Sequence, residues 1–156
     1  MLRALDGELG EAVEDLDALS RTLNHDDAVY ADVEVALVVT LLNAGRADQA
    51  LERLLKLEEL TADDPHRRVA TDDARALLGS SLASMGRFED AQIVLTPFVP
   101  TLAEQPAAIR ESAHFTLGEI DQASGRLESA IAHYEASAEA AQQIIKRGNQ
   151  FLESIR

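Results

Sequence analysis

The chain has no cysteine and no tryptophan, and only four prolines. Without cysteine there is no disulfide framework, no thiolate zinc site and no thiol nucleophile. The absence fits a reducing compartment. Basic residues are scarce: 14 Lys and Arg stand against 28 Asp and Glu, a net charge of −14. Neutralising a phosphate backbone takes clustered cations, and Arg67-Arg68 and Lys146-Arg147 are the only short clusters. Neither nucleic acid nor an anionic membrane is therefore an expected partner. Long apolar runs are missing too. The longest is Val35 to Leu42, broken by Thr40, far below the roughly 20 residues a bilayer-spanning helix needs. The opening MLRALDGELG contains no apolar stretch of signal-peptide length. A cytoplasmic location is the expectation. Two lysines against twelve arginines, with 26 alanines, suggest a GC-rich bacterial genome.

What the chain does have is a repeat. At 156 residues it has the length of one domain and can bury roughly 70% of its unfolded surface without covalent staples. Gly7, Gly45, Gly86 and Gly125 recur at intervals of 38, 41 and 39 residues. Five positions after each comes an alanine: Ala12, Ala50, Ala91, Ala130. Nine after come Leu16, Leu54, Leu95 and Tyr134, and twelve after come Leu19, Leu57, Phe98 and Ser137. Together with the position two after each glycine, these offsets lie on one face of a helix. Upstream, Leu37, Leu78 and Leu117 stand eight before the glycine, and Val38, Gly79 and Gly118 seven before. Four before come Leu41, Leu82 and then Asp121, a departure. Each unit reads as helix, glycine turn, helix. The glycine supplies a left-handed helix end, and the alanine allows close approach of the second helix.

The motifs Leu78-Gly79, Gly86, Ala91 and Leu117-Gly118, Gly125, Ala130, Tyr134 resemble the tetratricopeptide repeat. The first full unit departs at Val38, and the period is near 40 instead of about 34. The likeness is to the longer-helix variety, as in kinesin light chains and large bacterial regulators. It implies an all-α fold, a right-handed α-solenoid of helix-turn-helix repeats, and covers about residues 7–141. The expected organisation is one domain, 1–156. It comprises a half repeat at 1–25, repeats at 26–64, 65–105 and 106–143, and a capping segment at 144–156.

The pattern predicts helices over 8–23, 27–44, 47–60, 66–85, 88–103, 106–124 and 127–147. Asp64-Pro65 is an N-cap followed by a first-turn proline. Pro97 and Pro100 predict a kink or break near Thr96. The first unit is too short for a leading helix of more than one turn before Gly7. The apolar tail Ile144, Ile145, Phe151, Leu152, Ile155 reads as a cap that continues the last helix or bends at Gly148.

No catalytic constellation is apparent, and no metal or cofactor is expected. His25, His66, His114 and His133 do not pair at i+3 or i+4, so no single helix offers a two-histidine face. His133 reads as a surface residue and His114 as a packing one. The acidic doublets Asp26-Asp27, Asp63-Asp64, Asp72-Asp73 and Glu89-Asp90 are expected at helix beginnings, where the macrodipole accounts for them. The chain is expected not to be an enzyme.

The resemblance implies a concave groove lined by first helices, through Asp32, Val35, Val39 and Leu42, then Asp73, Leu77 and Ser80, then Phe115, Thr116 and Glu119. The cationic residues that clamp a peptide's terminal carboxylate in one branch of that family are absent from these positions. VEVALVVTLL, Val33 to Leu42, is apolar on both faces, which implies burial all round. It is either covered by the protein itself or a neighbouring copy, or it accepts a partner's segment. A scaffold binding a protein or peptide is the expected role. The alternatives are a self-associating structural domain, a homodimer among them, or a ligand- or peptide-sensing segment of a larger regulator.

Overall fold

The computed structural model describes residues 2–27, 29–61 and 65–155. Among the described residues are seven α-helices, one 3-10 segment and no strand. The chain falls into two compact units, residues 1–78 and 79–156.

Unit 1 contains α1 (Leu2–Thr22), α2 (Tyr30–Asn43), α3 (Ala47–Thr61) and the first part of α4 (Pro65–Ser84). α1 packs on α2, and α2 on α3. Leu37, Val38, Leu41, Leu54 and Leu57 fill the interior, all essentially inaccessible. Their three- and four-residue spacing faces one helix stripe toward the next. Gly7 does not behave as a turn residue. It lies inside α1, which runs unbroken from Leu2 to Thr22.

α2 starts at Tyr30, three residues after the Asp26-Asp27 doublet expected to open it. Asp27 closes the preceding turn instead, accepting a hydrogen bond from the Asn24 backbone N–H at 2.7 Å. Pro65 is the first residue of α4, as expected; its predicted cap, Asp64, lies outside the described residues with Asp63. Asp72-Asp73 does not open a helix either. It sits in the third turn of α4, where Asp72 is buried against Arg75.

Unit 2 contains the end of α4, α5 (Phe88–Leu95), the 3-10 segment (Thr96–Glu104), α6 (Ala107–Ala123) and α7 (Leu127–Ser154). The break foreseen near Thr96 is there. α5 ends at Leu95, because Pro97 cannot donate and its ring opposes a continuing α-helix. The tighter 3-10 coil carries the chain on and still buries Phe98 and Leu102. α7 continues straight through Gly148 as one helix of 28 residues.

The three helix-turn-helix corners are built alike. Gly45, Gly86 and Gly125 have φ of 71°, 75° and 74°, the left-handed region that a side chain disfavours. At each, the glycine N–H bonds to the carbonyl three residues back, and the next arginine's N–H to the carbonyl five back. Arg46→Leu41, Arg87→Leu82 and Arg126→Asp121 span 2.8–2.9 Å. This is the Schellman helix end, made three times. Ala50, Ala91 and Ala130 are all buried beyond it. Gly79 and Gly118 sit where a Cβ would meet the Leu95 and Tyr134 side chains at 2.7 Å and 2.6 Å. Only a residue with no side chain permits that approach. At the same register of α2 stands Val38, buried with Leu54.

Candidate functional site

The expected partner-facing residues divide by exposure. In unit 1, Asp32, Asp73 and Leu77 are exposed, while Val35, Val39 and Leu42 are half-buried. Val35 packs against Tyr30, Ala31 and Leu57 together with Leu23. The unit itself therefore covers part of the apolar stripe on α2. In unit 2, Ser80 and Glu119 are half-buried and Phe115 is 47% exposed. Phe115 lies tilted against Tyr134, ring centroids 5.7 Å apart. Tyr134 is held in turn by its hydroxyl, which donates to Gln122 Oε1 at 2.8 Å. Thr116 is buried, and its hydroxyl bonds back to the Ser112 carbonyl at 2.9 Å. At 1% exposure it offers no surface to a partner.

The sequence reading missed the polar pairings between helices. In unit 1, Glu34 sits within the apolar VEVALVV run and is almost wholly buried. It accepts a hydrogen bond from the Ser20 hydroxyl of α1 and one from Arg53 Nη1 of α3, at 3.2 Å. Arg53 also bonds Asp17, which pairs with Arg21. A buried carboxylate needs such partners, since an unpaired one loses its hydration without return. Burial chiefly, with the Glu34 charge second, raises the Tyr30 phenol above its usual range. A second network joins α3 to α4: Arg75 donates to Glu58 at 2.6 and 2.9 Å and to Asp72 at 2.8 Å.

Unit 2 has its own network. Asp121, the departure from the leucine pattern, accepts from Arg126 Nε and Nη2 at 2.9 and 2.7 Å, and from the Ser129 hydroxyl. Burial alone would raise its carboxyl; the Ser129 and Arg126 bonds outweigh that and hold it below the usual range. His133 Nε2 lies 3.8 Å from Asp121 Oδ2. His133 Nδ1 lies 3.1 Å from His114 Nδ1. His133 is thus not simply a surface residue, nor is His114 only packing: the α6–α7 hairpin brings the two imidazoles together. Burial foremost, then His133 and Arg110, push His114 below the ordinary histidine range.

One signal in the sequence locates these pairs. Glu34, Arg75 and His114 each stand eleven residues before a turn glycine; Arg53, Val94 and His133 each stand eight after one. Glu34–Arg53 and His114–His133 are both 19 residues apart. They fill one repeated slot between the first and second helix of a unit.

Unit 1 also has an open cleft of about 690 Å³ between α1 and α3, floored by Leu37 and Leu41 of α2. Its rim mixes Arg46, Gln49, Glu52 and Lys56 with Glu14 and Arg21, so neither sign of charge dominates. Among the described residues no group of three or more His, Asp or Glu is arranged to hold a metal ion. None of the described helices is long and apolar enough to cross a membrane. No protein-family model matches the chain, and neither a curated protein nor a solved structure matches it.

Proposed function

We propose that the chain is a helical-repeat interaction module that holds a segment of another protein against the first helices of its repeats. In this reading the repeats form a tetratricopeptide-type, right-handed solenoid working in the cytoplasm. The observation that carries it is the pairing of a rigid, repeated corner with an exposed aromatic. Phe115 stands out on α6, braced by Tyr134, which Gly118 and Gln122 fix in place. An exposed ring held by such a scaffold is pre-organised for contact and loses little entropy on binding. Leu77 on α4 is a similarly exposed apolar residue, at 45%.

A photo-crosslinking residue placed at 119, one turn along α6 from Phe115, is expected to capture a discrete protein in the native cell. One placed at Ile93, exposed on α5, is expected not to. Phe115→Glu should abolish capture from position 119. Equal, unselective capture from both positions would contradict the reading.

A second reading, self-association, is favoured by α7. Ile145, Phe151, Leu152 and Ile155 are 52–65% exposed along its last turns, a larger apolar display than isolated surface residues make. Light scattering across a concentration range separates the two: a mass near 16.9 kDa at every concentration supports the first, and a dimer that survives dilution supports the second.

A further inference from the structure

We propose that His114 and His133 are a proton-operated latch between α6 and α7, closed on a single shared proton and released when a second proton arrives. The geometry carries this. The two Nδ1 atoms are 3.1 Å apart while the ring centroids are 5.3 Å apart. That centroid distance is nearly the greatest two imidazoles can have at such a nitrogen separation. The rings therefore meet end to end, with the nitrogens facing each other along one line. This is an N–H···N hydrogen bond, in which one nitrogen donates and the other accepts. It is not the arrangement of two lone pairs converging on an ion to one side.

Such a bond tolerates only one Nδ1 proton. With one ring charged, the neutral ring carries its proton on Nε2 and still accepts; with both rings charged neither Nδ1 keeps a lone pair, so two donors and two positive charges face each other within 3.1 Å. The surrounding charges do not rescue the doubly protonated state at His114. Among the described residues, the charges acting on it are His133 of α7 and Arg110 of its own helix, both unfavourable to a cation. Arg110 is held beside it by a 2.5 Å bond from Nη2 to Gln143 Oε1 of α7. Among the described residues, none of the charged groups of α5 or the 3-10 segment, which also pack on α6, acts on His114. Asp121 is on the far side of the pair, next to His133 Nε2, and is already engaged by Arg126 and Ser129. It lies against His133 and not His114, so it does not offset a charge on His114.

The sign follows. The fold prefers His114 neutral and lowers its pKa, so the latch is fully closed above the ordinary histidine value of about 6.5 and lost as pH falls through the lowered one. Asp121, also lowered, gives way only below the ordinary aspartate value of about 3.9, a separate and more acidic window. The neighbouring residues Phe115 and Tyr134, one position further along each helix, share the hairpin face the latch closes.

The test follows the histidine ring protons of the full chain by NMR from pH 8 to pH 5, with amide exchange of both units corrected for its intrinsic pH dependence. The expected result is that His114 titrates below about 6.5 and that the His133 resonances respond in the same transition. Protection of α6 and α7 should then fall by up to about tenfold per pH unit for the one extra proton, while α2 and α3 keep theirs. His114→Gln, neutral at every pH, should flatten the fall; His133→Gln should lessen it, the burial of His114 remaining. Two rings titrating independently at ordinary values overturn the proposal, as does an unchanged fall of protection in both variants. If a variant does not fold, the titration of the unaltered chain decides alone.

Discussion

Units 1 and 2 fill one structural slot with opposite chemistry. In unit 1 the position eleven before the turn glycine and the position eight after it hold Glu34 and Arg53, a carboxylate and a guanidinium. In unit 2 the same positions hold two imidazoles, His114 and His133. The turn about Gly86 has Arg75 and Val94 there, and Arg75 reaches instead to Glu58 and Asp72. The backbone corner is the same Schellman end in all three. Register brings these two positions together at the Gly45 and Gly125 corners, and residue type decides what the meeting does. An ion pair with a buried acid locks α2 to α3. A pair that can hold one proton but not two makes the α6–α7 contact conditional.

The largest effect is expected from breaking the unit 1 pair. Arg53→Ala leaves Glu34, 1% exposed, beside the Ser20 and Tyr30 hydroxyls with no cation bonded to it. It should destabilise unit 1 by about 3 kcal/mol, the low end for a broken buried pair because Arg53 is partly solvated. Denaturant unfolding at pH 7 measures it. Losing the neutral His114–His133 bond through His133→Ala should cost only about 1 kcal/mol at that pH. Equal losses in the two units would remove the distinction between them.

Gly118→Ala tests the corner itself. The new Cβ would stand 2.6 Å from the Tyr134 ring, which must shift and strain its bond to Gln122. A loss of about 1–3 kcal/mol is expected, with the Phe115–Tyr134 contact perturbed in NMR spectra. The smallest effect has the other sign. Gly10 lies within α1, and a Cβ there meets nothing within 4 Å. Gly10→Ala should stabilise α1 by about 0.5–1 kcal/mol, read as a higher unfolding midpoint. A destabilisation would mean that α1 bends or packs at Gly10.

Much of this architecture was legible in the sequence for physical reasons. A glycine that must adopt positive φ, and an alanine that must fit a close helix approach, leave few substitutes. Gly45, Gly86, Gly125 and their alanines therefore announced each corner. Pro97 announced the end of α5 in the same way. Gly7 misled, because the same residue type is tolerated inside a helix at modest cost. The polar pairs were hidden because same-helix spacing reveals only neighbours three or four apart. Partners 19 residues apart become visible only when a hairpin register is applied to both helices of the repeat at once. Thr116 illustrates the converse. A carried-over groove position gave it a partner-facing role, and the fold buries it to 1% exposure.

The most direct test exchanges the slots. The double variant His114→Glu, His133→Arg places the unit 1 pair in unit 2, and amide exchange of α6 and α7 is compared at pH 7.5 and pH 5. Protection that no longer changes between the two pH values is the predicted result. Protection that still falls as it does in the unaltered chain would contradict the account, since the pH response would then arise outside the slot.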